Sequence, residues 1–596
     1  MCYTVKLEKN LTYRSVLHMK IFLRCLRMYP KESILAPLFK LLEACFDLCV
    51  PLVVAAIIDQ GIGGGNATLV WQLCGVLVLL AFVGLGWAIT AQYFSARAAV
   101  GSAARMRREL FAHMQSFTYA QTDRVGTSTM ITRMTSDVNQ LQTGVNITLR
   151  LLLRSPIIVF GAMIMAFTID TRLALTFVAA IPLLAIVVFG VMLGGIPLYK
   201  KVQGRLDRVT AITRENLSGV RPIRAFRKEE EQVSAFGEAN RKQTSLQNRA
   251  GILTAVMNPV TYVIVNLATV ILIREGAVSV EAGELTQGEV VALVNYMGQI
   301  LVELVKLATS IFTVTKAVAC GNRIGAVLDM PTGMAVTPAP DGTPAPASDT
   351  PAVVFHNVSM TYEGGGEPSL EGISFTAERG MTVGIIGGTG SGKSTLVNLI
   401  PRFYEATEGT VTVFGLPVES HDPAALRARI GVVPQKAELF KGTIRSNLCF
   451  GVENATDEEL WNALETAQAA DFVREKEGGL DAPVEQKGRN LSGGQKQRLT
   501  IARALVGSPE ILILDDSASA LDFATDARLR KALRELAGDP TVFIISQRTS
   551  SIKAADLIIV LDEGRAVGMG THEELLTSCE VYREIHESQF KGGEAQ

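Results

Sequence analysis

In the first half of the chain apolar residues do not alternate with polar ones; they run together. Six stretches, near 33–58, 70–94, 147–168, 173–196, 251–273 and 290–314, are each long and apolar enough to form a helix across a bilayer, which takes about 20 residues. The connections alternate in basic content: residues 59–70 carry no Lys or Arg, 95–146 carry six, 169–172 one, 197–250 twelve and 274–289 one. Lys and Arg stay on the cytoplasmic side, so both long connections are predicted to be cytoplasmic. Both show heptad-like apolar spacing among charges, so each spanning helix is expected to run on well below the membrane. A short turn at each tip would be free to touch another domain.

The pattern changes after PTGMAVTPAPDGTPAPASDT at 331–350, which has too few large apolar residues to pack and reads as an extended linker. Beyond it, short β-branched runs (VVF, TVGII, VTVF, IGVVP, ILILD, TVFIIS, LIIVL) alternate with helical patterns, which predicts a mostly parallel α/β sheet. The expected organisation is an N-terminal tail and interfacial elbow helix at 1–32, a six-helix membrane domain at 33–320, a linker at 321–350 and an α/β domain at 351–590. No internal repeat is visible, so a second copy of either domain would come from another chain.

Composition sharpens this reading. A mean hydropathy of +0.27, with 48 % apolar and 19 % charged residues, is too oily for an ordinary soluble enzyme of 596 residues. A net charge of -1 gives no field to gather nucleic acid, so no nucleic-acid partner is expected. Eight cysteines without a CxxC pair read as buried apolar side chains in a reducing compartment. Lys6, Lys9, Arg14, Lys20, Arg24 and Arg27 precede the first span without the apolar core and cleavage site of a signal peptide, so this end is expected in the cytoplasm. Met19 opens a basic, amphipathic stretch, KIFLRCLRMYPKES, suited to the membrane surface, and is a candidate translation start.

The chemistry lies in the second half. Gly387, Gly388, Thr389, Gly390, Ser391, Gly392, Lys393 and Ser394 match G-x-x-x-x-G-K-[ST] between the strand MTVGII and a helix that continues through Thr395. The glycines let backbone N–H groups converge on phosphate oxygens, Lys393 adds a point charge, and the Ser394 hydroxyl is placed to ligate Mg²⁺. Downstream, the buried strand ILIL delivers Asp515 to its carboxyl end, where a carboxylate would hold Mg²⁺. Together these identify a P-loop NTPase, which takes a nucleoside triphosphate with Mg²⁺.

LSGGQKQR at 491–498, with the phosphate loop upstream and ILILDD shortly after, resembles the signature of ABC transporters. The six-span region with two long cytoplasmic loops is similar to the exporter-type membrane domain of that family. The resemblance implies that Tyr362 stacks on adenine, that Gln435 in VVPQ is the Q-loop glutamine and a further Mg²⁺ ligand, and that Asp522 in SALD is the D-loop aspartate. ENLSGVRPIRAF at 215–226 is read as the second coupling helix. It also implies that two nucleotide domains meet head to tail, so that Leu491, Ser492, Gly493, Gly494 and Gln495 act on the partner's ATP.

The sequence departs from the family at three places. Asp516 stands where such transporters place the catalytic glutamate, its carboxylate drawn back by roughly 1.5 Å, the length of one C–C bond. Gln547 stands where the switch histidine belongs, and no histidine lies between His421 and His572. Gln486 precedes the signature where exporters often carry Glu. Asp516 and Gln547 beside an intact loop and signature resemble the degenerate half of a heterodimeric exporter, binding ATP with slow turnover. The partner, a second half-transporter, is then expected to carry Glu and His. A homodimeric exporter and an exporter-fold importer of siderophore type remain open alternatives.

Within the spans, Glu43 and Asp47, Arg150 and Arg154, and Glu303 and Lys306 lie three or four residues apart, each pair on one helix face. They are candidates either for the substrate path or for structural ion pairs near the cytoplasmic helix ends. A small molecule, lipid or peptide is compatible as substrate, and a bacterial plasma membrane is the expected location.

Overall fold

The structure, a computed structural model, describes residues 20–337, 350–452, 454–517 and 520–590. Lys6, Lys9, Arg14, Met19 and residues 338–349 of the Pro/Ala/Thr-rich segment lie outside the described residues. Two compact units are present. One holds the described residues up to Gln115 together with Ser128–Met330, and the other holds Ser116–Thr127 together with the chain from Pro331 onward.

The first unit is built on six helices long and apolar enough to cross a membrane: Pro30–Ile62, Ala67–Gln115, Thr127–Ile169, Thr171–Ser218, Glu229–Glu281 and Gln287–Leu328, called spans 1 to 6. Span 2 has 49 residues, or about 74 Å at 1.5 Å per residue, far more than the roughly 30 Å of hydrocarbon. The expected extension beyond the membrane is therefore present. Interior prolines at 37, 51, 182, 197 and 259 do not end the helices, because in a bundle neighbouring groups re-satisfy the carbonyls a proline frees. Small buried residues, among them Ala44, Ala162, Ala174 and Ala292, let the backbones approach closely around Phe177, Leu184 and Tyr296. The Tyr296 hydroxyl donates to the Leu48 carbonyl at 2.6 Å.

Two features differ from the sequence reading. Span 6 stays helical to Leu328, past residue 320, where the linker was expected to start. The elbow helix Lys20–Met28 buries Ile21, Phe22 and Cys25, and a Cβ on Gly325 of span 6 would lie 3.1 Å from Ile21. Its apolar side is thus taken up by protein rather than left wholly for lipid. The same region is tied by buried Asp137, which accepts from Arg323 at 2.6 and 3.0 Å and from Arg133 at 2.7 Å.

The second unit contains twelve strands among its described residues: β1 Val353–Met360, β2 Leu370–Ala377, β3 Thr382–Gly387, β4 Glu408–Val413, β5 Leu416–Pro417, β6 Ile430–Val433, β7 Gly442–Thr443, β8 Pro483–Val484, β9 Ile511–Asp515, β10 Thr541–Ile545, β11 Leu557–Asp562 and β12 Arg565–Gly570. The main sheet runs β12-β11-β3-β10-β9-β6, parallel except for its β12 edge. Its central strands read as unbroken apolar runs because both faces are buried, Leu512, Leu514 and Val542 against helices and Ile385, Ile513 and Phe543 against a helix and a second sheet. VVF and VTVF, however, belong to a separate antiparallel sheet, β2-β1-β4-β5. A run of three or four β-branched and aromatic residues signals a strand but not its partner's direction. Phe355, Phe375, Val411 and Phe414 join this sheet to the main one through a shared core with Ile385, Ile513 and Phe543.

Candidate functional site

Register builds the nucleotide site. Across the main sheet Ile385 of β3 pairs with Ile545 of β10, Ile545 with Asp515 of β9, and Val433 of β6 with Leu514 of β9. Parallel strands end on one edge, so the phosphate loop, Gln547, Asp515 with Asp516, and Gln435 all emerge side by side. This is the edge at which open α/β sheets bind ligands.

The phosphate loop closes tightly. Gly392 has φ 93°, a left-handed conformation, and a Cβ there would lie 2.5 Å from the Ser369 carbonyl oxygen and 2.8 Å from Leu370, so only glycine fits. The helix Lys393–Leu399 begins directly after it. Lys393 is buried at 9 % exposure, and its Nζ donates to the carbonyls of Gly387 at 3.0 Å and Gly388 at 2.5 Å. Burial lowers its pKa, against the pull of Asp515 and Asp516. The Ser394 hydroxyl donates to Asp515 Oδ1 at 3.1 Å, and burial raises the Asp515 pKa. A dry pocket that disfavours both an isolated ammonium and an isolated carboxylate favours a polyphosphate and a divalent cation that compensate each of them. The hydroxyl–carboxylate pair is the donor set that Mg²⁺ takes, so the residues fit the group.

Asp516 has φ 46°, and its N–H donates to the Ile545 carbonyl at 3.0 Å. The main chain from which the carboxylate reaches is thus held by β10. Gln547 is exposed, and its carbonyl accepts from Gln589 Nε2 at 2.7 Å. Gln589 Oε1 in turn accepts from the N–H and hydroxyl of Thr549, both at 3.0 Å. The C-terminal helix Glu580–Phe590 thus clamps the switch loop, a contact that nothing in the local sequence signals.

The signature lies at another helix start. Ser492 caps the helix Gly493–Leu505: its Oγ accepts from Gln495 N–H at 3.3 Å, and its own N–H donates to Gln495 Oε1 at 3.0 Å. Ser492 and Gly493 are exposed while Leu491 is buried beneath them. Such a solvent-facing helix N-terminus attracts an anion. Among the described residues no hydrogen bond joins the signature to the phosphate loop. Asp522 caps the helix Phe523–Arg534, accepting from Thr525 N–H and Oγ1 at 2.8 Å each; the first of these bonds is the main cause of its lowered pKa.

Tyr362 shares a 3.0 Å hydrogen bond with Thr395 Oγ1, directly behind the phosphate loop. Its ring meets Tyr404 edge-on at 5.1 Å, and the Tyr404 hydroxyl donates to Asp123 at 2.5 Å. Asp123 lies on the helix Tyr119–Val125, capped by Thr118 and Gln121, at the tip of the first long connection. Tyr119 of that helix stacks on Phe403 at 4.4 Å, and Arg124 pairs with Glu363 at 3.0 Å. Burial, and then the Asp123 bond, raise the Tyr404 pKa, which keeps its hydroxyl a donor. A side-chain chain therefore links the phosphate loop to a helix whose ends continue into spans 2 and 3. We expect Tyr404→Phe to keep the ring contacts and break only the last link, so that substrate transport per ATP hydrolysed falls severalfold while ATP affinity is unchanged. Parallel transport and phosphate-release assays in vesicles check this; an unchanged ratio excludes the link. The helix Val220–Ala225 at the second tip exposes Val220 and the adjoining Leu217 and Phe226.

In the membrane unit the charged residues meet across spans as well as along them. Arg154 reaches Glu303 at 2.7 Å, Asp47 at 2.6 Å and Glu43 at 3.9 Å. Glu303, 4 % exposed, also accepts from Ser155 at 2.7 Å and Lys306 at 3.0 Å. Arg150 instead donates to Gln92 at 2.6 Å.

A six-span helical unit, fused to a sheet that gathers a phosphate loop, an acidic strand end and an outward-facing signature on one chain, defines an ATP-binding membrane transporter subunit. Residues 33–304 match the family described as ABC transporter transmembrane region, and residues 370–519 match that described as ABC transporter. The chain belongs to the ABC transporter family, as an exporter-type half-transporter carrying both domains. It is 36 % identical over 568 residues to an uncharacterized ABC transporter ATP-binding protein of Mycobacterium tuberculosis, covering 95 % of this chain and 97 % of that one. The probable multidrug resistance ABC transporter ATP-binding/permease protein YheI of Bacillus subtilis is 33 % identical over 525 residues, covering 86 % and 88 %. A solved structure of a bacterial Atm1-family ABC exporter with ATP bound superposes with a TM-score of 0.77 at 25 % identity, covering 95 % of this chain and 98 % of that one.

Proposed function

We propose that the chain is the degenerate-site subunit of a heterodimeric ABC exporter, binding Mg²⁺-ATP at its own phosphate loop and supplying an intact signature to its partner's. ABC exporters work as dimers in a membrane, and the observation that carries the heterodimer reading is the pairing of Asp516 and Gln547 at the strand ends beside an otherwise complete loop. In this reading Tyr362 faces the adenine, and residues 387–395 hold the phosphates. Ser394, Asp515 and Gln435 would hold Mg²⁺, which offsets phosphate charge. A neutral Gln547 amide donates a hydrogen bond but exchanges no proton, and Asp516 falls short of the attacking water. ATP closure would reorient the spans through both coupling helices, while turnover at the partner's site resets them, since a ligand shifts an equilibrium only by its differential affinity for the two states. The cargo would be a small molecule, lipid or peptide carried across a bacterial plasma membrane.

The test is purification. The chain isolated alone should release phosphate at no more than about a hundredth of the rate of the complex with its partner, the order of effect general-base loss produces. Robust turnover by the chain alone would replace this reading with a homodimeric exporter.

A further inference from the structure

The charge network of the membrane unit is not neutral, and its imbalance is localised. A cavity of about 670 Å³ is lined by Lys40, Glu43, Gln92, Arg150, Arg154 and Lys306, among others. Glu43 is bound by Lys40 at 2.5 and 2.7 Å. Asp47 and Glu303 are bound by Arg154, and Glu303 also by Lys306. Three carboxylates thus face four cations, and the cation left over is Arg150, whose hydrogen-bond partner is the neutral Gln92 amide. Arg154 Nε is in addition a buried donor without an acceptor.

Backbone geometry marks the same place, at one of three π-helical turns in the membrane unit, the others being Ile57–Ile62 and Arg133–Asp137. Thr148–Leu152 forms a π-helical turn around Arg150, and such bulges in otherwise α-helical segments concentrate at functional sites. The depth is also specific. Arg150 stands 19 residues before the outer end of span 3 and Lys40 stands 22 before that of span 1, which is about 29 and 33 Å at 1.5 Å per residue. With roughly 30 Å of hydrocarbon, both lie at the cytoplasmic edge of the apolar layer, where lipid headgroups begin. A guanidinium at that level, held by no carboxylate, faces the headgroups of the leaflet, and a phosphate or carboxylate oxygen pair matches its fork of donors.

We propose that this cavity binds the anionic headgroup of an amphiphile from the cytoplasmic leaflet, with Arg150 as the principal contact and Lys306, whose side chain is 44 % exposed, completing the cradle. The proposal rests on the transporter reading only for the orientation in the bilayer. Lipid selectivity is measured without ATP, so its failure would leave the proposed transport standing.

The experiment is native mass spectrometry of the full-length transporter in detergent, with phosphatidylglycerol or phosphatidylcholine added. The wild type should retain phosphatidylglycerol about fivefold better than phosphatidylcholine, the effect of one basic group facing an anionic leaflet. Arg150→Gln should abolish the preference and Arg150→Lys should keep most of it. Equal retention of the two lipids by the wild type overturns the proposal whether or not the variants fold, and so does an unchanged preference in Arg150→Gln. Repeating the measurement after ATP turnover identifies the source: a retained lipid is a resident of the bilayer, and a released one is cargo.

Discussion

Asp516→Glu combined with Gln547→His should raise ATP turnover at this chain's own site by about a hundredfold, the span between a misplaced and a positioned general base. The geometry makes this a clean experiment. The Asp516 N–H is held by the Ile545 carbonyl at 3.0 Å, so the added methylene extends the carboxylate without moving the main chain. Asp516 occupies the left-handed region at φ 46°, which Asp tolerates better than Glu, and the longer residue costs about 1 kcal/mol of backbone strain there. That is small against a domain stability of about 5–15 kcal/mol, so the variant should fold. At position 547 the backbone is clamped by Gln589, and the exposed side chain is free to change. Phosphate release under saturating Mg²⁺-ATP measures the effect, with Lys393→Ala as the zero. If the double variant turns over no faster than the wild type, side-chain length and the missing imidazole do not limit this site, and the proposed degeneracy fails.

What the sequence made legible was whatever is local. The phosphate loop is eight consecutive residues whose strand and helix flanks are also contiguous, and the spans are unbroken apolar runs. Long-range partners left no such trace. Tyr119 and Phe403 stack across 284 positions of sequence, and nothing around either residue names the other. Gln589 belongs to no motif, yet it bonds Gln547 and Thr549. The charge pairs show both sides of this. Helical spacing placed Glu303 beside Lys306 correctly, but it could not reveal that Arg154 crosses to spans 1 and 6 while Arg150 turns to span 2. The π turn at Thr148–Leu152 has no compositional signature either, since Thr, Leu and Arg there suit an α-helix equally well.

Arg154→Ala should be the most damaging substitution in the membrane unit, lowering stability by about 3–5 kcal/mol, because removing one partner of a buried ion network leaves the others uncompensated. Glu303 would keep Ser155 and Lys306 but lose its 2.7 Å guanidinium contact at 4 % exposure, and Asp47 would lose its 2.6 Å one. Glu303→Gln should cost less, since the amide still accepts from Ser155 and carries no charge to strand. Arg154→Met with Glu303→Leu removes the central pair together and should recover most of the lost stability, as apolar replacement of buried pairs often does. Thermal unfolding of the purified variants in lipid nanodiscs orders them. Should Arg154→Ala unfold within about 1 kcal/mol of the wild type, the network holds nothing together. If the apolar pair restores stability but not transport, the charges act on the cargo; if it restores both, they serve only to join spans 1, 3 and 6.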